Sequence, residues 1–197
     1  MDLIETSTVA TEDLPVAAFR THLRLGTGFA NEAALDPELG RYLSAAIARI
    51  EARTGKALLR RGYRLILQEW RTVDAQSLPV APVQSVEAIT LRNRSGTPTL
   101  AAPERYRLIG ERHRPQIVAT GAMLPAIPHG GQVEIVFTAG FGISWDAVPD
   151  DLSQAVFLFA ASLFEARTGA SGDMPALVEA LIARWTPVRM TAGGHRG

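Results

Sequence analysis

The chain has 197 residues, 47% of them hydrophobic and 20% charged, and its formal net charge is zero. That length suits one full domain, or a helical and a β part sharing a core, and the composition excludes a disordered polymer. A neutral chain has no bulk attraction for DNA or an anionic membrane, and the absence of cysteine excludes disulfides, thiolate metal sites and a cysteine nucleophile.

The opening stretch, MDLIETSTVATEDLP, is acidic and lacks the basic and apolar regions of a signal peptide. Residues 1–13 are expected to be a flexible segment. Residues 1–18 hold Asp2, Glu5, Glu12 and Asp13 with no base, whereas residues 180–197 hold Arg184, Arg189 and Arg196 with no acid. Opposite charge at the two ends fits head-to-tail contact between copies, and equally fits two solvated tails.

A first helix is expected from Pro15, with Val16, Phe19 and Leu23 on one face and Gly26 and Gly28 ending it. A second opens at Asp36, read as the N-cap, with Pro37 in the first helical position. Leu39, Leu43, Ala46, Ile47 and Ile50 form its amphipathic stripe, and Gly55 closes it.

From residue 61 to about 140 the apolar period changes from 3.6 to 2. Five short strands are expected at 63–70, 85–93, 105–110, 115–120 and 132–140, separated by turns such as RSGTP, GERHRP and PHGG. A third helix is expected from Pro149 to about Thr168, and a fourth in PALVEALIARW with Leu177, Val178, Leu181, Ile182 and Trp185 on one side. The last residues, TAGGHRG, read as a flexible end.

The fold class expected is therefore α+β: a bundle of about four helices carrying an inserted antiparallel β subdomain. The organisation is an N-terminal segment (1–13), helical parts at 14–60 and 141–186 flanking the β insertion (61–140), and a C-terminal tail (187–197). EARTG occurs at the end of two helices, at Glu51–Gly55 and Glu165–Gly169. Shared end chemistry explains the repeat, with arginine near the negative end of the helix dipole and then a glycine.

No catalytic pattern stands out. The histidines, at 22, 113, 129 and 195, have no ligand spacing for a metal, and Lys56, the sole lysine, lacks the upstream glycine of a phosphate loop. GTG at 26–28 and GFG at 140–142 are fragments of a dinucleotide fingerprint and read better as turns. Asp150 and Asp151 fall in the first turn of a helix, where they complement its dipole. No cofactor or metal is expected. From Ala155 to Phe164 only Ser162 is polar, a run of about ten residues where a membrane span needs about 20, so this is a core helix. The junction before it is assigned to Gly140 and Gly142 for the turn, Trp145 as the plug of the seam, and Pro149, Asp150 and Asp151 as the helix start.

Arg92, Arg94, Arg105, Arg107, Arg112 and Arg114 crowd one stretch of the β region. They fit a surface facing nucleic acid or an acidic partner, or a solvated strand face. A small ligand-binding domain, or a nucleic-acid binder using these arginines, is the alternative reading. Interleaved aromatics for base stacking are missing.

In order along residues 14–189, the segments FRTHLRLG, LSAAIARIEARTGKAL, LPVAPVQSVEAI, VEIVFTAGFG, VPDDLSQAVFLFAASLFEAR and WTPVR resemble the head–tail connector (adaptor) proteins of long-tailed phages and gene transfer agents. The resemblance implies a structural virion protein, made in the bacterial cytoplasm. It would form a ring, typically of twelve copies, at the head–tail interface beneath the portal. Implied partners are the portal protein, stopper or tail-terminator proteins, further copies of itself, and packaged DNA passing without sequence-specific contact; no membrane is implied. The C-terminal segment is the implied portal contact, with Trp185, Val188, Arg189, Met190 and Arg196 as candidates, and the resemblance places Arg92, Arg94, Arg105, Arg107, Arg112 and Arg114 toward the channel or a neighbouring subunit.

Overall fold

The computed structural model describes residues 1–23, 35–166 and 173–187. Its helices are α1 (Val16–His22), α2 (Asp36–Thr54), α3 (Asp150–Ala166) and α4 (Ala176–Ile182), the last running into a 3-10 turn at Ala183–Trp185. Eight strands lie between or before them: β1 (Asp2–Glu5), β2 (Arg61–Leu67), β3 (Ala75–Ser77), β4 (Val83–Arg92), β5 (Pro98–Leu100), β6 (Tyr106–Ile109), β7 (Gln116–Ala119) and β8 (Gln132–Ala139). The expected α+β class holds.

The strands form two antiparallel sheets, β1-β2-β8-β4-β5 and β3-β7-β6. All five expected strands are present. Three more were not anticipated: β1, β3 and β5, each of three or four residues, too short to show a period of two. β1 overturns the expectation of a flexible N-terminal segment. It pairs antiparallel with β2, from Asp2 opposite Ile66 to Glu5 opposite Tyr63.

Alternation decides which face of the large sheet is buried. Val133, Ile135, Phe137 and Ala139 of β8 point inward, opposite Leu67, Leu65 and Tyr63 of β2 and Leu91 and Ile89 of β4. Tyr63 and Phe137 sit directly opposite and stack at 5.5 Å between ring centres. Ile117 of β7 and Leu124 join the same cluster, so the small sheet covers the large one. The outer face is mixed, with Ile66 and Val136 half-buried among polar residues. There Glu134 binds Arg64 at 3.2 Å and Arg92 at 3.3 Å across neighbouring strands.

A second apolar cluster belongs to the helices. The expected α2 stripe is buried throughout, and it meets Leu152, Ala155, Val156, Phe159 and Ala160 of α3. Gly55 ends α2 at φ +66, a left-handed position. Asp36 is not the N-cap. It is the first helical residue, and its carboxylate accepts a bond from Arg20 of α1 instead, because a guanidinium is a stronger partner than a backbone N–H. On α4 the core takes Val178, Ile182 and the following Trp185, whereas Leu177, expected on the same side, is 60% exposed.

Candidate assembly interface at the helix–sheet seam

The two clusters meet where β8 leaves the sheet. Gly140 has φ +131, and a β-carbon there would lie 2.5 Å from backbone atoms of Leu59 and Arg60. The turn is held by Gly140 N–H to Pro82 O (2.9 Å), by Arg60 N–H to Gly142 O (2.7 Å) and by Gln84 Nε2 to Gly140 O (2.7 Å). Pro149 then precedes α3, which Asp150 and Asp151 open.

Trp145, assigned as the plug, is only half buried: it stacks on Phe157 at 6.0 Å and donates from Nε1 to Ser153 Oγ at 2.9 Å. The deeper plug is Trp185, 1% exposed. Its Nε1–H donates to Asp151 Oδ2 at 2.6 Å, and Arg184 Nε–H reaches the same oxygen at 2.6 Å. Phe141 meets the indole edge-on at 5.5 Å, and Arg112, from the β6–β7 loop, lies 4.1 Å over its ring. One side chain thus joins α4, the start of α3, the exit of β8 and the small sheet. Burial works against the Asp151 charge, but the Trp185 and Arg184 bonds outweigh it and hold the carboxyl below its usual range.

Beside this knot is a cationic group that sequence reasoning missed. Lys56, directly after the glycine that ends α2, is 1% exposed, and its Nζ is buried with no hydrogen-bond partner among the described residues. Burial, then the nearby Arg112 charge, lowers its pKa to about 8. His113 is also lowered, by burial and by the charges of Lys56 and Arg112. The available signal was the lone lysine itself, set where Gly55 turns the chain inward.

That burial predicts a pH signature. Below pH 8 folded and unfolded chains both carry the Lys56 charge, and the folded state bears the full cost. Between 8 and the ordinary 10.5 only the unfolded chain keeps the proton, so stability rises with pH. From pH 7.5 to 9.5 the gain should be about 2 kcal/mol. Above that window the buried Tyr63 hydroxyl, pushed up by burial, reverses the slope, because tyrosine ionises first in the unfolded chain. Thermal unfolding should show the wild type gaining stability over this window and Lys56→Met staying flat. Coincident profiles would refute the assignment.

A second network ties β1 to the helices. Arg61 donates from Nε and Nη2 to Glu5 at 3.1 and 3.2 Å, and from Nη1 and Nη2 to Glu51 at 3.1 and 2.5 Å. Glu51 Oε1 also accepts the Leu58 N–H at 2.7 Å. An open cleft of about 250 Å³ runs beside it, but its charged lining groups, Glu5, Glu51 and Arg61, already bind one another.

The six β-region arginines are not brought onto one surface. Arg92 pairs with Glu134, and Arg94 is exposed in the β4–β5 turn. Both lie at the Gln132 end of β8, about 23 Å by strand rise from the seam at Ala139. Arg105 and Arg107 are exposed before and on β6, while Arg112 and Arg114 belong to the loop at its far end, and only Arg112 covers Trp185. Of the C-terminal candidates, Trp185 is buried within its own chain, and Val188, Arg189, Met190 and Arg196 lie outside the described residues. Among the described residues no group of His, Asp or Glu is arranged to hold a metal, and no helix is long and apolar enough to cross a membrane.

No protein-family model matches the chain, and no curated protein matches it. Solved structures do. A chain in the neck of an empty gene transfer agent particle, computed with C6 symmetry, is 56% identical with a TM-score of 0.90, covering 98% of this chain and 99% of that one. A chain in the virion of a native gene transfer agent particle is 54% identical with a TM-score of 0.89, at the same coverage. A third, in the neck of the native particle computed with C12 symmetry, is 50% identical with a TM-score of 0.86, again covering 98% and 99%. The matches cover nearly the whole length of the chain. The chain belongs to the head–tail connector family of long-tailed phages and gene transfer agents, and its place is in the virion, at the head–tail interface.

Proposed function

We propose that the protein is the adaptor ring of that interface, a structural rather than catalytic part. Copies of the chain form a closed ring, of twelve, beneath the portal. The ring extends the DNA channel and presents its lower face to stopper or tail-terminator proteins. The observation that carries this reading is the near-full-length likeness to a chain in a particle neck computed with C12 symmetry. A ring whose channel passes DNA without reading its sequence needs backbone-directed positive charge and no base recognition.

The architecture supplies a reason for the tail to be the portal contact. Among the described residues Trp185 is the last deeply buried side chain, clamped by Asp151 and Arg112, and the sequence beyond Pro187 is basic. Trp185 therefore acts as the root that aims residues 188–197, and contact itself falls to Val188, Arg189, Met190 and Arg196. A chain ending at Pro187 should unfold at the wild-type temperature, because the knot is intact, yet yield heads without tails. Normal numbers of tailed particles from that truncation would sink the portal-contact assignment.

A further inference from the structure

Two oppositely charged features carry charge that no ion pair among the described residues neutralises, although Arg112 also stacks on Trp185. At one end of α2 the 3-10 turn Thr11–Asp13 packs its threonine methyl against Gly40 and leaves Glu12 and Asp13 exposed. Neither carboxylate has an ion pair or side-chain hydrogen bond among the described residues. Past the other end of α2 sits the cationic group, with the Arg112 guanidinium and the His113 ring exposed in the β6–β7 loop and the unpartnered Nζ of Lys56 buried behind them.

We propose that the Lys56–Arg112–His113 group of one copy receives Glu12 and Asp13 of the next copy, in a head-to-tail contact repeated around the ring. This rests on the ring reading above. Gly40 and Thr54, the last residue of α2, are fourteen residues apart, so at 1.5 Å per helical residue the helix alone separates the two features by about 21 Å. A chain cannot join its own acids to its own cations over that distance. A neighbour can, and a contact between two different patches of one chain closes into a ring when the rotation between copies permits. The fold spends stability on a buried ammonium that no group among the described residues satisfies, and a carboxylate brought up outside it adds a compensating charge. Lys56 does not itself reach solvent. It raises the potential behind Arg112 and His113, which make the contact. A second copy is favoured over a nucleic acid because the complementary acids are on the same chain, whose formal net charge is zero.

The test is a charge swap in the full chain, produced with the other particle components and scored by electron microscopy for rings in the neck. Reversing the acidic turn (Glu12→Arg with Asp13→Arg) or the basic face (Arg112→Glu) should each lower ring-bearing particles at least about tenfold, since like charges then face each other. All three substitutions in one chain should restore them to within about threefold, because the pairing is merely inverted. Thermal unfolding of each purified variant separates misfolding from failed assembly. Lys56→Met adds an independent signature: the free chain becomes more stable near neutral pH while rings become fewer. Wild-type ring numbers in either single-face variant, or no recovery in the combined chain, overturn the contact and leave the ring reading standing. Unchanged rings in Lys56→Met remove Lys56 from the contact. A wild-type neck in which this chain forms no ring overturns both readings.

Discussion

Trp185→Ala should destabilise the folded chain by about 3–5 kcal/mol, a large part of the stability of a domain this size. The indole is 1% exposed and fills the space between α3, α4, Phe141 and the β6–β7 loop, so its removal leaves a cavity that four different elements would have to close. It also strips Asp151 of the Nε1–H bond, leaving a half-buried carboxylate, whose Oδ1 has no hydrogen-bond partner among the described residues, to Arg184 and the Leu152 backbone. Trp185→Phe separates the two contributions. It keeps most of the packing and loses the bond to a charged acceptor, at a cost of about 1.5–3 kcal/mol. Urea unfolding of the three chains checks the order wild type, Phe, Ala. A Trp185→Ala chain within 1 kcal/mol of the wild type, on the scale of a single net hydrogen bond, would mean that Trp185 is not the structural root of the tail.

Arg61→Leu is expected to cost about as much, 3–5 kcal/mol by the general behaviour of broken buried ion pairs. The guanidinium is the centre of a bridge between Glu5 on β1 and Glu51 on α2, and the Glu51 side chain is only 12% exposed. Without Arg61, Glu51 remains charged and nearly buried, holding only the Leu58 N–H. Adding Glu51→Gln removes the stranded charge, so the double variant should recover a measurable share of the loss; additive losses would show the pair to be uncoupled. Hydrogen exchange gives a second check. β1 is the edge strand, and beyond its ladder to β2 the Glu5 bonds to Arg61 are what tie it down. Its amides should exchange faster in Arg61→Leu while those of β8, at the sheet centre, keep their relative protection.

These two residues show how far the sequence could be read. The α2 stripe, the alternation of β8, the core character of α3 and the order of the connector segments were all legible, because each depends on neighbours within a few residues: an apolar period of 3.6 or 2, a glycine at a helix end, a proline at a helix start. Asp151 was legible as a first-turn acid near a helix dipole, but its bonds to Trp185 and Arg184 span more than thirty residues of chain and leave no local trace. For the same reason Trp145 was named as the plug. It lies beside the junction in sequence, whereas Trp185 arrives there only when α4 packs back onto α3. Arg61 and Glu51 likewise read as ordinary arginine and helix-end chemistry until β1 brought Glu5 beside them.

The amino-acid sequence by itself determined the α+β class, five of the strands, the helices and the family, since periodicity, capping and the ordering of motifs are properties of the linear chain. Only the tertiary structure decided which charges are paired and which are stranded. Whether an arginine is solvated, stacked on an indole or shared between two carboxylates depends on what the fold brings within about 4 Å, the reach of an ion pair. The dense arginines of the β region dispersed to opposite ends of the sheet, and Lys56, notable in the sequence only as the sole lysine, became the one buried ammonium among the described residues, because electrostatic energy follows distance and burial in space and not order along the chain.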